Sequence, residues 1–351
     1  MSKSDLSLNI GDKQIGEDSV FFIAEAGINH NGELHRAKDL IDVAVECGAD
    51  AVKFQTFKTE DLVTKDAPTA EYQTTDGSAS QYELLQEHEL SKDDFESLQS
   101  YCAAKDITFL STPFDLESAN ILDELEVPAI KLGSGELTNH PLLRHVTKFG
   151  KPLIISTGMA TMTEVEEAVS VLERAEPEVE FALLHCTSTY PAKLSTVNLR
   201  AMNRMVDTFE VPVGYSDHTK DVSTPAYATA AGALIIEKHF TLDQSLPGPD
   251  HTVSLMPAEL DRAVSLARDA AVARGTGEKR PTPDEKPMRQ ITRKSLHAAC
   301  DLAAGTILQT DYITIKRPAD GISPVDYQEV MGRQLETAVS RDEPITEEML
   351  R

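Results

Sequence analysis

The feature that most constrains this chain is a rhythm. Between residues 20 and 274, eight short apolar or β-branched runs are each followed by a segment of helical spacing. The runs are 20–25, 51–55, 108–112, 129–132, 152–156, 181–185, 212–216 and 234–238. Helical segments lie between them at 34–47, 92–105, 116–125, 141–149, 163–173, 199–209 and 222–231, and one at 257–274 closes the series. The first shows the logic: Leu34, Ala37, Leu40, Ile41, Ala44 and Val45 fall on one face, and Gly48 stops it. Ser91 is placed to cap the helix at 92–105, and Thr163 with Glu166 to form a capping box. Such alternation calls for parallel strands with crossover helices, and eight repeats over this length have the size of a closed (β/α)8 barrel. A doubly wound sheet would need a glycine-rich phosphate turn after its first strand. The string there is EAGINHNG, which is not G-x-G-x-x-G.

Beyond the last helix the character changes. Residues 274–289, RGTGEKRPTPDEKPMR, hold three prolines and two glycines and read as a linker. The expected division is a barrel at 1–275, a linker at 276–290 and a small domain at 291–351, with turns at Ala304-Gly305 and Asp320-Gly321. A domain of that size is marginal alone and is expected to pack on a barrel, its own or a partner's. Inside the barrel, residues 56–89 run without clear periodicity and read as a lid or binding loop.

The charge is one-sided: 58 Asp and Glu against 33 Lys and Arg, a net −25. Such a surface repels phosphate backbones and anionic lipid, which excludes nucleic acid and membrane surfaces as primary partners. No apolar run approaches the roughly 20 residues that span a bilayer. The opening string MSKSDLSLNIGDKQIGEDS has no signal-peptide core, so a cytoplasmic protein is expected. The acids are spread along the chain. They suit either an ordinary acidic surface or a halophilic-like one, where salt screens the self-repulsion. Cys47, Cys102, Cys186 and Cys300 make no C-x-x-C pair and are expected to be reduced, mostly buried thiols.

In a barrel the chemistry gathers where strands end. The ends here supply Glu25, then Lys53 and Gln55, Ser111 and Thr112, and Lys131, Ser134 and Glu136. They continue with Ser156 and Thr157, His185, then Ser216, Asp217 and His218, and lastly Glu237, Lys238 and His239. Lys53, Lys131 and Lys238 bring positive charge, and Thr112, Ser134, Ser156 and Ser216 bring neutral donors. Singly each hydroxyl would be an ordinary loop residue, but as a set they suit a small polyanion. His218 and His239 end neighbouring strands, about 4.8 Å apart, so both imidazoles could reach one ion. Two histidines completed by water and substrate suit Mn²⁺, Zn²⁺ or Fe²⁺. Carboxylates at Glu25, Asp217, Glu237 and Asp250 could steady the imidazoles or a bound water. His185 and Cys186, as strand neighbours, point to opposite faces, which argues against a Cys–His nucleophile.

Several strings resemble the sialic acid synthase family, the condensing enzymes for nine-carbon sugar acids. They are FIAEAGINHNGELHRAKDLIDVAVECGADAVKFQTFKTEDL, FLSTPFD, IKLGSGELTNHPLL, GKPLIISTGMAT, LLHCTSTYPA, VPVGYSDHT, IEKHFTLD and PGPDHTVSL. In the tail, KSLHAACDLAAGTIL and IKRPADGISP resemble the family's antifreeze-like (SAF) domain.

The resemblance implies a carbon–carbon bond-forming transferase. It would join phosphoenolpyruvate, an open-chain N-acyl hexose and water into a 2-keto-3-deoxy nonulosonic acid and phosphate. It also implies a divalent cation on His218 and His239, with Mn²⁺ first and Mg²⁺ or Co²⁺ as alternatives. Glu25 would handle protons or position water, with Asp250 assisting. Lys53, Thr112, Lys131, Ser134, Ser156 and Ser216 would hold phosphoenolpyruvate, and Gln55 and Tyr190 the sugar. Glu136 and Ser188 join the substrate set, Ser188 standing where relatives often carry Asn. Arg317 would reach the sugar's acyl group from the SAF domain of the other subunit of a domain-swapped homodimer. N-acetylmannosamine giving N-acetylneuraminate is the first expectation. A 2,4-diacetamido-6-deoxy hexose giving N,N'-diacetyllegionaminate is the alternative, and a non-catalytic carbohydrate-binding protein is the reading from another class.

Overall fold

The computed structural model describes residues 6–16, 19–67 and 80–351. The chain divides into two compact units, Met1–Thr276 and Gly277–Arg351.

The first unit opens with an antiparallel hairpin, β1 (Leu8–Ile10) and β2 (Lys13–Ile15). Eight parallel strands follow: β3 (Phe21–Gly27), β4 (Ala51–Thr56), β5 (Thr108–Pro113), β6 (Ile130–Leu132), β7 (Leu153–Ser156), β8 (Phe181–Cys186), β9 (Val213–Asp217) and β10 (Ile235–His239). Their order is β5-β4-β3-β10-β9-β8-β7-β6, so the last strand pairs with the first and the sheet wraps round. β5 and β6 lie side by side without a ladder among the described residues, which completes the barrel. The helices are α1 (Leu34–Glu46), α2 (Thr59–Leu62), α3 (Gln81–His88), α4 (Lys92–Ala104), α5 (Leu116–Glu124), α6 (His140–Val146), α7 (Met162–Glu173), α8 (Arg200–Phe209), α9 (Thr224–Ala230) and α10 (Pro257–Arg274).

Strand alternation sorts the side chains into two layers. Phe22, Val52, Phe109, Ile155, Leu183 and Ile236 point outward into the core shared with the helices. Phe21, Ile23, Ala51, Leu110, Ile154, Ala182 and Ile235 point inward, and Leu8, Ile10 and Ile15 of the hairpin pack with them. The hairpin therefore closes the N-terminal end of the barrel. Asn9 N donates to Glu180 Oε2, Lys13 Nζ donates to Asp50 O, and the Gly11 turn lies against Pro128. Each of those partners stands just before a barrel strand. The polar composition of the N-terminal string hid three apolar positions, Leu8 and Ile10 on one strand and Ile15 on the next.

Helix starts follow local chemistry. Ser91 makes the expected cap, with Asp94 completing a capping box. For α7 the box is Thr161 with Glu164, not Thr163 with Glu166. The string TMTEVEE holds two overlapping T-x-x-E patterns. The upstream one wins because the helix begins directly after the turn at 157–160. The 56–89 connection contains α2 and α3, and its residues 68–79 lie outside the described residues.

The second unit contains α11 (Glu285–Thr292), the two-stranded β11 (Ser295–Ala298) with β12 (Ile313–Lys316), and α12 (Tyr327–Val330). Its own core includes Leu296, Leu302, Leu308, Val330, Leu335, Val339 and Ile345. Part of the expected linker is thus helical. Thr282 and Glu285 bond reciprocally just ahead of α11, and Pro287 falls in its first turn, where no amide is needed. Cys47, Cys102 and Cys186 are buried free thiols, and Cys300 is exposed. No helix among the described residues is long and apolar enough to cross a membrane.

Candidate active site

A cleft of about 430 Å³ opens at the C-terminal ends of the strands. Alternation explains who lines it. The inward series of β3, β4 and β5 ends in Glu25, Lys53 with Gln55, and Thr112. β6 and β7 bring Lys131 and Ser156, and the loop after β6 brings Ser134. β9 supplies Ser216, with His218 one step beyond it, and β10 supplies Glu237 and His239. Ser188, Tyr190 and Asp250 complete the wall from loops.

The same period of two removes other strand-end residues. Lys238 faces outward, its Nζ 2.6 Å from Asp217 Oδ2 and bonded to the Thr219 carbonyl. Neither Lys238 nor Asp217 reaches the cleft. Ser111 also faces out and shares a hydrogen bond with Thr56. His185 turns away to the Val197 carbonyl while Cys186 faces in, the opposition expected of strand neighbours. Glu136 lies beside the cleft without lining it; its carboxylate accepts from Asn139 at 2.7 Å. Arg317 belongs to the second unit, where it is exposed.

At the floor, Glu237 organises two buried ammonium groups. Its Oε2 lies 3.7 Å from both Lys53 Nζ and Lys131 Nζ, and its Oε1 accepts from Ser216 Oγ at 2.8 Å. Lys131 Nζ also donates to Ser156 Oγ at 2.7 Å and to the Leu132 carbonyl. Lys53 Nζ donates to Thr112 Oγ1 and stands 2.8 Å from Glu25 Oε2. The two carboxylates therefore divide. Burial pushes Glu25 up to about 7, more than Lys53 pulls it down. Glu237 is buried as well, but Lys131 and Lys53 hold it at about 2. Desolvation lowers Lys131, whereas the Glu237 and Glu25 carboxylates outweigh desolvation at Lys53 and raise it. Two ammonium groups face one firmly ionised carboxylate, so the floor favours an anion inside an acidic protein.

Nearer the mouth, burial pushes Asp250 up to about 6. Glu25 Oε1, Gln55 Nε2 and Asp250 Oδ2 converge on Gly27, whose positive φ and missing side chain leave that space open. Gly158 serves similarly: a Cβ there would collide with Ser188 Oγ and Ser134 Oγ, and its own amide donates to Ser134.

His218 and His239 stand with ring centroids 5.6 Å apart. Burial holds His218 down at about 4 and His239 well below its ordinary value, so both are neutral. His218 Nδ1 donates to the Thr187 carbonyl at 3.0 Å, which leaves the Nε2 lone pair to accept from the Tyr190 hydroxyl. The Tyr190 ring stacks on His218 at 4.1 Å. His239 Nδ1 is buried with no hydrogen-bond partner. Two neutral imidazoles fit a divalent cation that takes the place of the Tyr190 hydroxyl at His218 Nε2, the tautomer of His218 being fixed by a backbone carbonyl. No group of three or more His, Cys, Asp or Glu among the described residues could hold an ion, so water or substrate would have to complete the shell.

Comparison with known proteins fits this arrangement. Residues 40–279 match the family model described as NeuB family, and residues 293–351 match the SAF domain. This chain belongs to the NeuB family. It is 44% identical over 325 residues to an N,N'-diacetyllegionaminic acid synthase of Legionella pneumophila, covering 91% of each chain. The human N-acetylneuraminate-9-phosphate synthase is 35% identical, over 95% of this chain and 94% of its own. Among solved structures, an N-acetylneuraminic acid synthetase from Leptospira borgpetersenii in complex with citrate superposes with a TM-score of 0.73. It is 35% identical and covers 80% of this chain and 94% of that one. NeuB membership and the barrel-plus-SAF architecture both agree with the reading of the sequence. The organising position of Glu237 was only partly visible. It stands two residues before His239, hence on the same strand face, but sequence offered no sign that it sits between both lysines.

Proposed function

We propose that this chain is a phosphoenolpyruvate-condensing synthase that makes a nonulosonic acid. The observation that carries the reading is the floor of the cleft, where Lys53 and Lys131 flank Glu237 beneath two neutral histidines. The lysines, with Thr112, Ser134, Ser156 and Ser216, would hold the phosphate and carboxylate of phosphoenolpyruvate. His218 and His239 would hold the cation, with Mn²⁺ the first candidate. When bound it polarises an aldehyde oxygen and orients the sugar. Gln55 and Tyr190 would keep the open-chain aldehyde over C3 of phosphoenolpyruvate, and one carbon–carbon bond forms between those carbons. The electron-poor C2 left behind is captured by water. Glu25, poised near neutrality by burial, takes one proton from that water and passes it to the alkoxide formed from the aldehyde oxygen. The bond from C2 to the phosphate oxygen then breaks as the C2 hydroxyl becomes the ketone, and phosphate leaves beside the lysines with the hydroxyl's proton.

For the sugar, relatives named diacetyllegionaminic acid synthase are 44% identical to this chain, and those named N-acetylneuraminate-9-phosphate synthase about 35%. That difference favours a 2,4-diacetamido-6-deoxy hexose over the N-acetylmannosamine expected from the motifs. A homodimer in which Arg317 of one subunit serves the barrel of the other is part of the same proposal. The test is phosphate release from phosphoenolpyruvate with each candidate sugar, and product mass. The diacetamido sugar should give the highest turnover. No phosphate release with any N-acyl hexose would refute the condensation and favour a sugar-binding protein.

A further inference from the structure

A second cavity lies outside the chemistry described so far. It has about 530 Å³ and opens between the starts of α7 and α8, behind the end of β8. None of its lining residues is Asp or Glu, although 58 of the 351 residues in the chain are. Two of them are arginines. Arg200 and Arg204 stand four apart on α8, one turn above the other, and so present two like charges to the same space. Arg36, Arg268 and Arg333 have carboxylate partners; Arg200 and Arg204 have none among the described residues. Both arginines are exposed, so water screens their mutual repulsion, and an anion between them could accept from both guanidinium forks. The rest of the wall is mixed, with Met159, Met162 and Val165 opposite and Thr157, Thr161, His185 and Asn198 beside them.

We propose that this cavity binds a small phosphorylated organic molecule, its phosphate between Arg200 and Arg204 and its apolar body against the methionines. The site is separate from the catalytic cleft but adjoins it. Met159 lines both spaces, and Cys186, on the wall of the second, has its Sγ 3.6 Å from His218 Nδ1.

The experiment is calorimetric titration of the full chain with phenyl phosphate and with inorganic phosphate. Phenyl phosphate should bind at least tenfold more tightly than phosphate. Arg200→Gln/Arg204→Gln should weaken it at least tenfold, while Lys131→Ala, altered only in the catalytic cleft, should keep it. Circular dichroism checks that each variant is folded. If the double variant folds poorly, each single variant should still weaken binding at least threefold. Three results would overturn the proposal: no phenyl phosphate binding by the wild type, wild-type affinity in the folded arginine variants, or binding abolished by Lys131→Ala and unchanged without the arginines.

Discussion

Lys131 Nζ and Glu237 Oε2 lie 3.7 Å apart at the floor of the cleft, each almost wholly buried. This spacing is too long for a full hydrogen bond, and Lys53 stands at the same distance on the other side. One carboxylate thus faces two ammonium groups, raising Lys53 and opposing the burial that lowers Lys131.

Glu237→Gln should therefore destabilise the protein by about 3–5 kcal/mol, the scale for removing one partner from a buried ion pair. An anion can take the place of the lost charge. Thermal unfolding should show a lower midpoint for the variant and a larger upward shift with phosphate than the wild type gives. Equal midpoints without ligand would contradict the role of Glu237.

Asp250 ties stability to pH. Its folded carboxyl ionises near 6 because burial opposes its charge, against 3.8 for an unperturbed Asp. Between those values the folded chain holds the proton more tightly than the unfolded chain, so stability falls as pH rises through that window. The total is about 3 kcal/mol at 1.36 kcal/mol per pKa unit. Asp250→Asn should lose this share of the slope and keep the share that the raised Glu25 carboxyl contributes. Denaturant midpoints from pH 3.5 to 7 would test it, and parallel curves for the two proteins would count against it.

Removing metal should abolish condensation, and Mn²⁺ should restore it. His218→Ala or His239→Ala should raise the barrier by several kcal/mol, the usual scale for Lewis-acid stabilisation. Mn²⁺ binding followed by paramagnetic resonance should weaken in both variants. Full turnover by stripped enzyme would end this reading.

A net charge of −25 should make the fold salt-dependent. Screening shortens the reach of repulsion to about 3 Å at 1 M salt. The thermal midpoint should climb with KCl; a flat response up to several molar would mark an ordinary acidic surface.

Complementation tests the shared site. Arg317→Ala and Lys131→Ala subunits, each inactive alone, should regain activity when mixed under exchange. Random pairing puts half the dimers in the mixed form, each with one intact site, or about a quarter of wild-type activity. Verified exchange with no recovery would place Arg317 outside any shared site.

Much of the barrel was legible because its signals are local. The alternation of runs located all eight strands to within a residue or two, and period two correctly opposed His185 to Cys186. The same rule, applied to Lys238, would have turned it outward; counting strand ends without assigning faces put it in the site. The N-terminal hairpin escaped because three-residue strands carry too few apolar positions to stand out. The spacing of Glu237 between Lys53 and Lys131 joins three strands far apart in sequence, and no local pattern encodes it.

Among the described residues, the β1–β2 hairpin closes one end of the barrel and leaves the other as its doorway. With the N-terminal end stoppered by Leu8, Ile10 and Ile15, whatever rests on the lysines must arrive and depart past the histidines. In the proposed reaction, access would then be a queue, the deep anion entering before the molecule that sits above it. On the way out that sequence would reverse, with phosphate at the bottom waiting for the sugar acid to clear the mouth.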